Sequence, residues 1–351
     1  MTVSPAIAAI TLDPHSRQRV HDHLRTAAAS DVAWLDEAVA GLLSRPAKQL
    51  RPALVHAAAA CGDAPAGDDV ARCAAAVELL HLSSLVHDDI MDGSPTRGGL
   101  AAVHATYGAA AALLVGDHLA AAGGRLAAEV SLDAAAQWQK AYRAMCGGQA
   151  RELVGTHRLG TARDYRTVIA GKTAALFAAA GHVGARAAGL PPATAAALGR
   201  YGHHFGMLLQ ILDDLMDLLS TDLLWGKPVG QDLRNGVYTL AVIHAAASHG
   251  PELARPLSPD ADAAALAAVA KAARTVGTGP VIAAAAHEAR QARLALRVLP
   301  ESAARQRLSE VPHQYLISVL SERPAPEHAH HVRPHLTRIN ETEVKVSYVI
   351  A

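Results

Sequence analysis

Two acidic pentapeptides, Asp88-Asp89-Ile-Met-Asp92 and Asp213-Asp214-Leu-Met-Asp217, each sit inside an apolar run of the chain. Leu-Ser-Ser-Leu-Val-His precedes the first and Met-Leu-Leu-Gln-Ile-Leu the second. In a helix the first and fifth positions of such a motif share one face and the second lies beside them, so each copy aims carboxylates at one point. Uncompensated charge in apolar surroundings is costly, so any fold this chain adopts must bring cations to both clusters. Hard divalent ions meet that demand. Mg²⁺ takes oxygen ligands and keeps part of its shell for water or phosphate, so two facing clusters point to a metal-bridged diphosphate. A single motif of this type is as readily a solvated helix face or a helix N-terminus. Two copies with apolar flanks make that reading a poor one.

The rest of the chain favours helix. Of 351 residues, 51% are hydrophobic and only 3% aromatic, with alanine dominant, which suits closely approaching helices filled by small side chains. Residues from about 16 to 320 read as successive helices broken at Gly, Pro and Asp clusters such as Cys61 to Asp69 and Gly189-Leu-Pro-Pro192. The expected fold class is all-α, with residues 1–322 one helical domain and 323–351 a Pro/His-rich C-terminal tail. Within that tail, Glu343 to Ile350 alternates like a strand but has no partner strand, so it is left unassigned. Lys plus Arg equals Asp plus Glu at 32 each, and no base-stacking or zinc-finger signature occurs, so no nucleic-acid partner is expected. Cys61, Cys73 and Cys146 form neither a CxxC pair nor a closed even set and read as buried apolar residues. Without a basic signal-peptide region or an uninterrupted apolar run of spanning length, a soluble cytoplasmic protein with no membrane span is expected.

Around the first motif the chain runs Glu78-Leu-Leu-His81-Leu-Ser-Ser-Leu-Val-His87-Asp88-Asp89-Ile-Met-Asp92-Gly-Ser-Pro-Thr-Arg97-Gly98-Gly99. It resembles the trans-isoprenyl diphosphate synthase, or polyprenyl synthetase, family. The likeness extends through Lys48-Gln-Leu-Arg51-Pro52, Gly116-Asp117, Gly171-Lys172-Thr173, Gln210 and Gly226-Lys227-Pro-Val-Gly-Gln-Asp232, in the family's order over roughly residues 40 to 245. It implies an isoprenoid synthase type helical bundle around a central cavity, usually a homodimer. The implied reaction is Mg²⁺-dependent condensation of an allylic prenyl diphosphate with isopentenyl diphosphate, giving a geranylgeranyl or longer all-trans polyprenyl diphosphate. By the same resemblance Asp88, Asp89, Asp92, Asp213 and Asp217 hold the metal, and Asp214 orients water or basic groups behind them. Arg97 and Lys172 bind the allylic diphosphate and Lys227 closes over it. Lys48, Arg51 and His81 bind isopentenyl diphosphate, while Thr173 and Gln210 form a polar pair that stabilises the carbocation.

The chain departs from the family pattern at three places. Two adjacent arginines usually follow the first motif, but Gly98 stands in the second position, and no neighbouring basic residue obviously replaces that bidentate phosphate ligand. Val237 and Ala241 replace a usual lysine and proline in Gly236-Val237-Tyr238-Thr239-Leu240-Ala241. In the family, product length depends on residues leading into the first motif. Here Ser84 and Ser83 leave the near floor open, Leu80 is a candidate distant floor, and no large aromatic stopper precedes the motif. That pattern argues against ten- or fifteen-carbon products. A class I terpene cyclase of the same fold, acting on an allylic diphosphate alone, is the competing expectation, since loss of the arginine at Gly98 suits it. A non-catalytic partner subunit is disfavoured by retention of both acidic motifs.

Overall fold

Helix signals in the sequence become helix ends in the structure. The computed structural model describes residues 11–45, 48–62, 67–225, 229–255 and 257–350, with side chains described up to Ile339. In chain order the longer helices are α1 (Pro14–Ala28), α2 (Ala33–Leu43), α3 (Leu50–Ala59), α4 (Asp68–Met91), α5 (Ala109–Val130), α6 (Leu132–Gly155) and α7 (Ala162–Ile169). They continue with α8 (Ala175–Ala187), α9 (Pro192–Leu219), α10 (Leu240–His249), α11 (Ala263–Ala272), α12 (Thr278–Ala295), α13 (Ala303–Glu322) and α14 (Ala329–Ile350). Asp13, Ser131, Asp262 and Ser302 cap their helices by accepting backbone N–H bonds, and Thr161 with Asp164 forms a reciprocal capping box at α7. Among the described residues the only sheet is the two-stranded hairpin β1 (Thr96–Arg97) and β2 (Leu100–Ala101) just after the first motif.

The bundle is built around α9. Its neighbours are α8 on one side and α12 on the other, while α4 packs along α5 and both α3 and α8 reach α4. Tyr201, Phe205, Leu208, Ile211 and Leu212 of α9 are fully buried. Phe205 makes edge contacts with Phe177 at 5.9 Å and Tyr315 at 6.1 Å between ring centroids, and the Tyr201 hydroxyl donates to the Leu308 carbonyl at 2.9 Å. Few aromatics are present, and several of them meet at this one point. Both acidic motifs end helices that border this core, the first on α4 and the second on α9.

The C-terminal stretch is helical rather than tail-like. Ser220 donates to the Arg323 carbonyl at 2.6 Å, the Ala325 N–H to Leu219 at 2.7 Å, and Val332 is buried where α14 meets α12 and α13. Proline and histidine content marks this segment out in sequence, but the backbone satisfies its polar groups as helix and extends it through the strand-like alternation, for which no strand partner exists among the described residues. Cys73 is buried, Cys61 half-buried and Cys146 exposed, so the expectation of burial fails for the last, which lies on the outer face of α6. The stretch Ala162–Ala187 is long and apolar enough to cross a membrane, yet more than half of it is buried within the bundle.

One buried carboxylate ties three helices. Glu288 of α12 accepts from Arg166 of α7 at 2.6 Å and contacts His204 of α9 at 2.7 Å. Burial alone would raise its pKa, but these two partners together hold it below the ordinary carboxylate value. A lowered native pKa contributes stability that is complete above the unfolded-state value of about 4.3 and fades as pH falls through the native value. Glu288→Gln is expected to cost about 1–3 kcal/mol at pH 7, with the gap to wild type closing as the pH drops below about 4.5. Thermal unfolding across that range measures it; a gap that is constant with pH contradicts the pairing.

Candidate active site

The bundle encloses a cavity of about 1490 Å³. From the α4 side Asp88 and Asp92 line it, from α9 Asp213 and Asp214, and from the segment after α9 Asp232. Asp88 is strongly perturbed. Its burial pushes the carboxyl up to about 6, opposed by Lys172 and reinforced by Asp92, and burial likewise raises Asp92. Such carboxylates attract any cation that enters.

Lys172 faces this acidic end. It lies in a π-helical turn, Ala170–Ala174, between α7 and α8, and donates to Glu152 of α6 at 2.5 Å. Burial would lower its pKa, but Glu152 and Asp88 outweigh that and hold the ammonium above its usual value, so it stays charged. The wider π turn places Lys172 and Thr173 side by side on the cavity wall. Gly148 of α6 makes this possible, because a Cβ there would stand 2.3 Å from the Lys172 backbone nitrogen.

A chain of hydrogen bonds crosses from the turn to the second motif. Thr173 Oγ1 donates to Gln210 Oε1 at 2.7 Å, Gln210 Nε2 donates to Asp214 Oδ1 at 2.7 Å, and Tyr165 Oη donates to Asp214 Oδ2 at 2.6 Å. Tyr165 is buried, and burial followed by the Asp214 charge keeps its hydroxyl well above the usual phenol range.

The same cavity is lined by Lys48, Arg51, His81 and Ser84, with Phe177 of α8 beneath the Arg51 guanidinium at 4.6 Å from its ring centre. Burial lowers Arg51 to about 10, and Glu78, one turn before His81, is raised by its burial to about 7. Burial and the charges of Arg51 and Arg97 together hold His81 well below its ordinary value, leaving a neutral imidazole near neutral pH.

The cavity thus gathers Lys48, Arg51, His81, Ser84, Asp88, Asp92, Lys172, Thr173, Gln210 and Asp213 from the expected set, but the structure places four other members elsewhere. Asp89 is buried and receives both Nε and Nη2 of Arg97 at 2.7 Å, so each neutralises the other away from the cavity wall. Asp217 accepts from the backbone N–H groups of Gln231 and Asp232, both at 3.2 Å, and fixes the turn that carries Asp232. Ser83 is buried off the cavity, as is Leu80, since each helical step turns the side chain by about 100°. Lys227 lies outside the described residues. Asp232, Glu152, Tyr165 and Phe177 were not singled out from sequence; only Asp232 lay within a quoted signature. Phe177 also supplies the large ring that the approach to the first motif lacks.

Gly98 has a structural reason. With φ +62° at Gly98 and +81° at Gly99, the pair forms the tight turn of the β1–β2 hairpin. A basic side chain does come to this hairpin: Arg45 donates to the carbonyls of Ala101 at 2.7 Å and Arg97 at 3.5 Å.

The donor set suits a hard divalent cation, being carboxylate oxygen from two opposed helices. Among the described residues no three His, Cys, Asp or Glu side chains form a ready-made cage. Asp88, Asp92 and Asp213 would give an ion only part of its oxygen shell and leave the rest to water or phosphate, the way Mg²⁺ is commonly held.

Residues 32–274 match the family model for polyprenyl synthetase. A (2E,6E)-farnesyl diphosphate synthase of Mycobacterium tuberculosis is 38% identical over 256 residues, covering 70% of this chain and 67% of its own. A nonaprenyl diphosphate synthase of the same organism is 31% identical over 287 residues, covering 78% and 84%. Among solved structures, a polyprenyl synthase of Caulobacter crescentus complexed with calcium and isoprenyl diphosphate aligns with a TM-score of 0.82 at 31% identity, covering 93% of this chain and all of that one.

The close approach at Gly148 is testable. Gly148→Ala is expected to push the π turn out of register, lowering stability by about 1–3 kcal/mol and turnover by at least tenfold. Steady-state kinetics with a melting curve checks this; wild-type behaviour in both means that the two backbones are not in contact.

Proposed function

The chain belongs to the polyprenyl synthetase family and is a prenyltransferase, and from that premise we propose that it elongates an allylic prenyl diphosphate with isopentenyl diphosphate to a geranylgeranyl or longer all-trans product, using Mg²⁺. The observation that carries this reading is that one cavity is lined both by carboxylates from two helices and by the basic set Lys48, Arg51 and His81. Elongation needs both sets, whereas ionisation alone needs only the first.

Asp88, Asp92 and Asp213 would hold the metal, which when bound supplies positive charge to the departing diphosphate. Asp89 and Asp217, assigned the same role by resemblance, would serve it indirectly, by holding Arg97 and the Asp232 turn. Lys172 stays charged within reach of the acids and binds the allylic diphosphate. Lys48, Arg51 and His81 bind the second diphosphate, His81 as a neutral hydrogen-bonding group. Thr173 and Gln210 turn oxygen atoms to the cavity, where a carbocation would be stabilised, and the apolar wall keeps water from it. Ser84 lies where the growing tail would pass, and Phe177 with it limits the space. Residues 1–322 would constitute the catalytic unit, with 323–351 an appended element, in a cytoplasmic homodimer. The exposed Leu113 and Leu114 of α5 offer apolar surface suited to a second copy.

The competing cyclase reading rests on Gly98. Radiolabelled isopentenyl diphosphate incorporation, run alongside gas chromatography of extracts, separates the two. Prenyl diphosphates growing by five-carbon steps support elongation, and cyclic hydrocarbon or terpene alcohol without incorporation overturns it.

Three variants follow from the same assignment. Asp88→Ala or Asp213→Ala should cut turnover by about a thousandfold, equivalent to ~4 kcal/mol of lost transition-state stabilisation, and chelation of the metal should abolish it. Near-normal rates in either folded variant reject the metal assignment. Ser84→Phe should shorten the product while sparing the first condensation, as read by chromatography of dephosphorylated products; an unchanged distribution removes Ser84 from the tail's path.

A further inference from the structure

We propose that Tyr165 is a positioning residue for the prenyl transfer, acting through Asp214 to fix which end of the Gln210 amide faces the cavity. The proposal rests on the reading of Thr173 and Gln210 as the pair that stabilises the carbocation.

Gln210 meets Asp214 through its amide nitrogen, Nε2 donating to Oδ1 at 2.7 Å, since an amide N–H₂ group donates where a carboxylate oxygen accepts. The amide oxygen is then turned the other way, where it accepts the Thr173 hydroxyl proton at 2.7 Å. With its single proton committed to Gln210, the Thr173 hydroxyl presents lone pairs, not a proton, to its remaining surroundings on the cavity wall. Lone pairs of Thr173 Oγ1 and Gln210 Oε1 are thus held together on the cavity wall, while the amide nitrogen is drawn to Asp214. The arrangement depends on Asp214 holding one orientation, with one oxygen for Gln210. Its other oxygen is fixed by Tyr165 at 2.6 Å.

Tyr165 is itself held. It is buried in α7, and the next residue, Arg166, pairs with the buried Glu288 of α12 at 2.6 Å. Its hydroxyl remains protonated and can only serve Asp214 as a donor in this geometry. Without that donor Asp214 loses one of the contacts that set its orientation, and the hold on the Gln210 amide against its flipped form weakens. A flipped amide points its N–H₂ group toward positive charge, which raises the barrier without weakening either diphosphate site.

The expected signature is a split between kcat and KM. Tyr165→Phe should lower kcat by about ten- to thirtyfold while KM for both diphosphates stays within about twofold of wild type. Gln210→Leu should lower kcat at least as far, and the double variant should be no slower than Gln210→Leu, because Tyr165 acts only through that amide. A merely structural tyrosine would give losses that multiply, or a shift in KM with a falling melting temperature. If Tyr165→Phe does not fold, Asp214→Asn asks the same question, since an amide there can donate as well as accept; its kcat should fall similarly, and a wild-type kcat overturns the proposal. Should Gln210→Leu keep the wild-type kcat, the polar-pair reading falls and this proposal with it. Should Gln210→Leu be slow but Tyr165→Phe be normal, or the two losses multiply, only the role of Tyr165 is rejected.

Discussion

Carboxylates gathered on one cavity are the constraint on which the rest of this molecule depends. Asp88, Asp92, Asp213, Asp214 and Asp232 share that space, and burial resists ionisation at Asp88, while Asp92 is more exposed. Each further acid has its own local partner: Asp89 has Arg97, Asp217 has two backbone amides, and Glu152 has Lys172. On the cavity wall the Asp88 and Asp92 carboxylates stand near the Lys172 ammonium, which opposes their charge.

Holding that charge in place is the task of the helices. α4 and α9 are the longest-packed members of the bundle and carry one motif each. Alanine and glycine allow backbones to approach, as where Gly148 admits the Lys172 turn. The π turn trades one regular helical step for the side-by-side placement of a charged and a hydroxyl group. The wall so made is precise at its polar end and apolar along its length, which is what a reaction through a short-lived cation needs.

Much of this was legible in the residues, and the parts that were not have a common cause. Helical period and the repeated acidic motif locate the carboxylates, and ordered signatures point to Lys172, Thr173 and Gln210. Period fixes a face but not a partner, so it could not reveal that Asp89 meets Arg97 or that Asp217 clamps the turn before Asp232. Tyr165 and Glu152 act across 49 and 20 positions of sequence respectively, through contacts that only tertiary packing creates. Gly98 reads in sequence as a lost arginine, whereas its positive φ makes it a turn residue, with Arg45 brought to the same hairpin by folding. The C-terminal segment misleads for a simpler reason, since proline and histidine content says little about a segment anchored by the buried Ala325 and Val332.

The central claim is that the two acidic walls act together, through metal, on one diphosphate. Isothermal titration of the protein with inorganic pyrophosphate, with Mg²⁺ and with a chelator, tests it most directly. The account predicts saturable binding only with Mg²⁺, weakened at least tenfold by either Asp88→Asn or Asp213→Asn, although the two residues lie on different helices. Equal affinity under chelation, or undiminished binding by either variant, would contradict it.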